Sequence, residues 1–265
     1  MSIPNSFYHY CSLDTDARKT WFARIMLQRE IYFRSREQLN DPHELRPVLE
    51  FDGSDAELRT HAHSVITSHW PTKLSPAKRL REASRLARAY KKSPDGVEKI
   101  LHELLDGMGL FSVSESPTET LLWGYYASGF RGVCVEFDAN CGPFVTAQKV
   151  VYADITPRIN RLKDTVDEML VKSMFTKRID WQHEREWRVI ARPRDDSRIQ
   201  RYLSQHEIPE TAIPFLQNQH GPGYYSVPPD AIRRVLLGSR ISGEDAQWVG
   251  DVITQSGLPI AIEHT

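Results

Sequence analysis

The chain has 265 residues, 40% of them hydrophobic and 26% charged, with 34 basic against 35 acidic side chains and a formal net charge of -1. That length can bury a sizeable core, and the balanced charge gives no general attraction to nucleic acid or membrane, so such a partner requires a local patch. Three scattered cysteines, Cys11, Cys134 and Cys141, are too few for a disulfide framework, and no CxxC pair opens a zinc site.

The amino-terminal MSIPNSFYHYCSL has neither the basic start nor the apolar run of a secretory signal, and no segment approaches the ~20 apolar residues of a membrane span. A soluble, cytoplasmic single domain, residues 1–265, is expected. Phe7, Tyr8 and Tyr10 mark a short aromatic strand. Asp14 or Thr15 then caps a helix to about Arg29, with Trp21, Phe22, Ile25 and Met26 on one face. Ile31 to Phe33 read as a second strand, stopped by the turn Asn40-Asp41-Pro42.

From about residue 55 to 106 the pattern is helical, a predicted insertion in the domain. Ser75-Pro76 starts one of its helices, with Leu80, Ala83, Leu86, Ala87 and Tyr90 on one stripe. The remaining surface carries Lys78, Arg79, Arg81, Arg85, Arg88, Lys91 and Lys92 against the single acid Glu82. Such runs are commonly solvated surface, but one basic face is also what phosphate contacts require. Arg81, Arg85, Arg88 and Lys92 are therefore candidate nucleic-acid contacts.

Leu110 to Asp138 reads as strand, helix, strand, with Ser112 and Ser114 two apart and so on one face. Strand-end hydroxyls in solvent are the plainer account of them, because serine is common where strands end. Lys149 to Tyr152 is predicted as a strand, followed by a helix around Ile159, Leu162, Val166 and Met169. In Trp181 to Ala191, alternation sets Glu184 and Glu186 on one strand face and Trp187 and Val189 on the other. Residues 199–229 read as loop-rich, with Gly221-Pro222-Gly223 preventing regular structure. Arg234 to Leu237, a helix capped by Ser242, and Pro259 to Glu263 close an α+β fold on a mixed sheet.

His61, His63, His69 and the His43-Glu44 pair lack helical metal-ligand spacing, and no metal is expected. The carboxylate pair remains. Repulsion and a wall of Trp181 and Trp187 would push the pKa values of Glu184 and Glu186 apart, which suits a cationic transition state. A surface ladder pairing them with Arg185, Arg188 or Lys177 is the structural alternative.

Two resemblances follow. Asn40-Asp41-Pro42-His43-Glu44, Leu122-Trp123-Gly124-Tyr125-Tyr126, Gly132, Phe137-Asp138, Val150, Tyr152, Lys177, Trp181, Glu184, Glu186, Arg188 and Val235-Leu236-Leu237-Gly238 resemble, in that order, the bacterial domain-of-unknown-function family 2971. That family supplies no reaction. Tyr8-His9-Tyr10, then Ser112-Val113-Ser114, then Glu184-Arg185-Glu186 look like the three-strand signature of ADP-ribosyltransferases, with Val113 where that family commonly has Thr.

The second resemblance implies NAD as substrate. His9, with Tyr8, would hold the adenosine side, Ser114 would contact the cofactor, Ser112 would position Glu186, Glu186 would bond the nicotinamide ribose, and Glu184 would orient the acceptor. Trp123, Tyr125 or Tyr126 would stack on a ring of the cofactor. An ADP-ribosyltransferase or NAD glycohydrolase, as a toxin or phage-defence effector acting on a nucleic-acid or protein acceptor, is the reading so implied. A non-catalytic polyanion-binding module is the alternative, and a metal-dependent nuclease using Asp41, Glu44, Glu184 and Glu186 is a third.

Overall fold

Short alternating segments build the main sheet. The computed structural model describes residues 3–69, 74–92, 95–193 and 208–265, the side chains of 68, 69, 92 and 95–100 excepted. In chain order the strands are β1 (Ser6–Cys11), β2 (Glu30–Phe33), β3 (Val48–Glu50), β4 (Gly109–Ser114), β5 (Val133–Asp138), β6 (Gln148–Lys149), β7 (Val151–Ala153), β8 (Arg158–Asn160), β9 (Thr176–Arg178), β10 (Glu186–Ala191), β11 (Gly223–Ser226), β12 (Ile232–Leu237) and β13 (Ala261–His264). The helices are α1 (Asp16–Leu27), α2 (Asp55–His69), α3 (Pro76–Lys92), α4 (Asp95–Asp106), α5 (Thr120–Tyr126), α6 (Val166–Met174), α7 (Ile213–Gln217) and α8 (Gly243–Ser256). The chain divides into two units, one of Met1–Pro42, Asp106–Tyr152 and Lys177–Thr265, the other of His43–Leu105 and Ala153–Thr176.

The first unit is α+β. Its sheet runs β13-β12-β5-β1-β4-β10-β6, parallel between β12 and β13 and antiparallel elsewhere. Phe7, Phe111, Val113, Val135, Phe137, Trp187, Val189 and Val235 share one face and pack with Phe22, Ile25 and Met26 of α1 and Val249, Val252 and Ile253 of α8. Thr15 caps α1 by accepting from the Arg18 N–H, and Trp21, expected beside Phe22, is instead 48% exposed. On the opposite face, Tyr10, Cys134 and Leu236 meet Leu122, Trp123 and Ala127 from α5 and its end.

β1 and β4 share one register position, Tyr8 opposite Ser114, while Arg34 bridges to Leu110 further along β4. Residues 199–207 of the expected loop lie outside the described residues. Beyond them, regular structure replaces the predicted loop. Gly221 and Gly223 take φ values of 82° and 144°, which only glycine adopts readily, and this turn lets Gly223–Ser226 pair with β2 as β11.

The second unit packs α2 against α3 through Leu58, Ala62 and Ile66 and through Ala83, Ala87 and Tyr90. Phe51 stacks on Tyr90 with ring centroids 4.3 Å apart. The helix expected around Ile159 begins later. Ile159 pairs with Leu49 in the parallel β3–β8 ladder, and α6 starts only where Thr165 and Glu168 form a capping box.

Candidate functional site

β10 lies beside β4 with Glu186 opposite Ser114 and Arg188 opposite Ser112. Since Trp187 and Val113 enter the core, alternation sends Ser112, Ser114, Glu186 and Arg188 to the other face, the one that carries α5. Glu184 and Glu186 are not neighbours on one strand face as the alternation predicted. Glu184 ends a 3-10 turn, Arg185 is left-handed with φ 45°, and the strand begins at Glu186. The turn nevertheless aims both carboxylates at one cation: Lys177 Nζ donates to Glu184 Oε2 at 2.5 Å and to Glu186 Oε2 at 2.9 Å.

The two carboxylates differ in what else they hold. Glu186 Oε1 accepts from Ser112 Oγ at 2.5 Å and Arg188 Nε at 2.8 Å, and its Oε2 also accepts from Arg188 Nη2 at 3.0 Å. With Lys177 that makes four donors, which fills the roughly four lone-pair sites of a carboxylate. Among the described residues Glu184 has a single further donor, the Tyr126 hydroxyl on Oε1 at 2.7 Å, so they leave half its acceptor capacity unused. Its backbone is fixed by Ser114 Oγ, which donates to the Glu184 carbonyl at 2.8 Å, and the Glu186 N–H donates to the Tyr152 hydroxyl at 2.8 Å.

Arg188 is fully buried, and Lys177, Glu184 and Glu186 are at most 6% exposed. Burial pushes the Arg188 guanidinium down to about 9, the Asp41 charge opposing, so it stays protonated at neutral pH. Burial alone would lower the Lys177 ammonium, but the Glu186 and Glu184 carboxylates outweigh it and hold the group above its ordinary value. Burial also raises the Glu186 carboxyl against the opposing pull of Lys177. Asp41, Glu184 and Glu186 thus meet Lys177 and Arg188 in a water-poor site.

Comparison with protein families, curated proteins and solved structures returned no match. What the site can do is set by its own groups. Around Lys177 and Glu184 stand aromatic rings. Trp181 has Lys177 Nζ 5.0 Å from its centroid, and His183 lies 6.1 Å from Trp181 and 6.4 Å from Tyr125. His183 Nδ1 donates to the Asp180 carbonyl at 3.1 Å, which leaves Nε2 an acceptor with no partner among the described residues. Tyr125 is 64% exposed.

Ser112, Ser114, Glu184, Glu186 and Tyr126 thus come together; His9, Tyr8 and Trp123 do not join them. His9 shares the core face with Phe7, stacks on Phe111 at 4.6 Å, and reaches the cluster's strand only through its Nδ1, 3.0 Å from the Ser112 carbonyl. The Tyr8 phenol lies beside Arg234. Trp123 is enclosed, with Phe130 stacked at 5.5 Å, the edge of Tyr10 at 5.2 Å, and its Nε1 donating to the Pro117 carbonyl, so no ring face is open to a cofactor. Trp187 belongs to the core and forms no wall at the carboxylates.

For the nuclease reading, no group of three or more His, Cys, Asp or Glu side chains among the described residues is arranged around a metal position. The Lys177 ammonium occupies the place between Glu184 and Glu186. Arg81, Arg85 and Arg88 are exposed on α3, and the Lys92 side chain lies outside the described residues. No helix among the described residues is long and apolar enough to cross a membrane. Lys177, Arg188, Asn40 and Tyr152 complete the cluster beyond the candidate residues read from the sequence. Asn40 Nδ2 donates to the Tyr126 hydroxyl at 2.8 Å, tying the Asn40-Asp41-Pro42 turn to Glu184. The signal for all four was their ordered place in the family-like motifs.

Proposed function

We propose that the first unit is an NAD-consuming, ADP-ribosyltransferase-like enzyme in which Glu184, rather than Glu186, is the carboxylate that meets the nicotinamide ribose. The reading is carried by the unequal saturation of the two side chains. Glu186 spends its whole carboxylate on Ser112, Lys177 and Arg188 and acts as the anchor of the cluster. Glu184 keeps acceptor sites for a ligand.

The chemistry is consistent with this division. Cleavage breaks the bond from ribose C1′ to the nicotinamide nitrogen, and the electron pair leaves on nicotinamide. The oxocarbenium-like sugar then bonds an acceptor oxygen or nitrogen, or water, which gives up its proton. A fixed carboxylate in a water-poor site favours positive charge that grows only in the transition state. Tyr125 and Trp181 offer ring faces to a pyridinium, and His183 Nε2 offers an acceptor to a substrate hydroxyl.

The test is nicotinamide release from NAD by the purified protein. Turnover by the wild type, with a loss of roughly 10²-fold or more in Glu184→Gln and an unchanged melting profile, supports the reading. Absence of nicotinamide release by the folded wild type, or full activity in Glu184→Gln, overturns it.

A further inference from the structure

In the second unit, α3 presents a second chemistry. At about 100° per residue, Lys78, Arg81, Arg85 and Arg88 fall within an arc of about 80°, directly opposite the seam where Ala83, Ala87 and Tyr90 bury against α2. All four side chains are exposed. Neutralisation is slight: Glu82 stands 3.7 Å from Arg85, whose side chain remains 80% exposed, and such a pair holds little energy. Lys91 lies off the stripe and pairs with Asp55 of α2. Arg79, only half-exposed, is turned back to donate from Nε to the Leu74 carbonyl at 2.9 Å, whereas Arg88 gives its Nε to the Ser84 carbonyl at 3.2 Å but stays exposed. What is left is a row of cations about 15 Å long, stepping about 4.5 to 6 Å along the helix axis.

We infer that this stripe is a docking face for the phosphate backbone of a nucleic acid. Duplex DNA carries about one charge per 1.7 Å of axis, so a rigid row of that length can seat each of its cations on a phosphate. Three of the four are arginines, whose planar fork suits phosphate oxygens. A membrane surface is the poorer partner, because an interfacial helix must sink an apolar face, and of the apolar stripe of α3 only Leu80 is left exposed, at 62%, while Ala83, Ala87 and Tyr90 are used against α2. The face is independent of the NAD chemistry proposed for the first unit.

The experiment uses the full chain and fluorescein-labelled 30-base-pair DNA and RNA duplexes, with anisotropy titrations between about 50 and about 200 mM KCl. Four phosphate contacts predict a slope of log K against log salt of about -3.6. The triple variant R81Q/R85Q/R88Q should bring the slope towards about -1 and weaken low-salt binding at least about tenfold. The single variant Arg85→Glu, at a position 80% exposed, should lower the slope by about one without touching the α2 seam. A control triple, R18Q/K172Q/R240Q, removes the same charge elsewhere and should bind as the wild type does. The inference is overturned by failure to bind either duplex at low salt, by an unchanged slope in the α3 variants, or by an equal loss in the control. Stripe-dependent binding to polyglutamate or phosphatidylserine vesicles in place of the duplexes also overturns it.

Discussion

Ser112 Oγ donates to Glu186 Oε1 at 2.5 Å across the β4–β10 pair, and this bond links the serine strand to the carboxylate cluster. Ser112→Ala removes one of four donors to a buried charge, and a charge-assisted bond of this kind is worth about 1.5–3 kcal/mol. A drop in melting temperature of a few degrees follows, of order 2–8 °C, with nicotinamide release reduced far less than in Glu184→Gln. Calorimetry and the release assay read both. An Ala variant identical to the wild type in melting would mean that the serine does not hold Glu186.

Lys177 is shared by Glu184 and Glu186. Lys177→Met leaves two enclosed carboxylates facing each other, and breaking a buried pair from one side costs about 3–5 kcal/mol. The sign with pH is specific. Without the ammonium, the pull that opposes burial at Glu186 is gone and its carboxyl titrates further above the unfolded value, so the folded variant binds more protons and loses stability as pH rises through that interval. The variant should therefore lie closer to wild-type stability near pH 5 than at pH 7.5, measured by urea unfolding at both pH values. A deficit that is the same at both would show that Lys177 does not compensate the pair.

Periodicity was enough to place β1, β4, β5, β10, β12 and the basic face of α3, because those elements depend on local alternation or helical spacing. The site was only half legible. That Ser112 and Glu186 share a face follows once the β4–β10 register is known, but register between strands more than seventy residues apart leaves no local trace. The same gap hid the fate of His9: the Tyr8–Ser114 register puts it level with Val113, hence on the core face. Arg185 defeated the strand reading of Glu184 differently, since a left-handed non-glycine residue has no composition signal. The pairing of Glu184 and Glu186 with Lys177 and Arg188 was legible as a surface ladder, but not its burial, because Lys177 is seven and nine residues from the glutamates that fold back onto it.

Glu184→Gln and Glu186→Gln should separate anchoring from chemistry. In Glu186→Gln one oxygen becomes an NH₂ group, set against Lys177 and Arg188, which are donors only. An unpaired buried polar contact costs about 1–3 kcal/mol, more for charged groups, so this variant should lose stability and activity together. In Glu184→Gln the amide oxygen can still accept from Tyr126 or Lys177, and activity should fall well before stability does. Parallel melting curves and nicotinamide release decide the matter. If Glu186→Gln melts as the wild type does yet has no turnover, Glu186 takes the chemical role and Glu184 the supporting one.

His9 supplies an acid-side signature that belongs to the core face alone. Burial holds its imidazole down to about 4, with the Arg34 charge adding to the effect and the bond to the Ser112 carbonyl opposing it. The unfolded chain therefore binds a proton near pH 6.5 that the folded chain refuses until about pH 4, so stability falls as pH drops through that window. His9 keeps part of its surface in solvent, which reduces the full linkage value to about 1–2 kcal/mol. His9→Gln can still donate from its amide to the Ser112 carbonyl but does not titrate. Between pH 6.5 and 4 it should lose correspondingly less stability than the wild type, by urea unfolding at several pH values. Nicotinamide release at pH 7.5 should survive the substitution, because His9 stacks on Phe111 on the side of the sheet away from Glu184. Loss of turnover in a well-folded His9→Gln protein would instead return His9 to the NAD site.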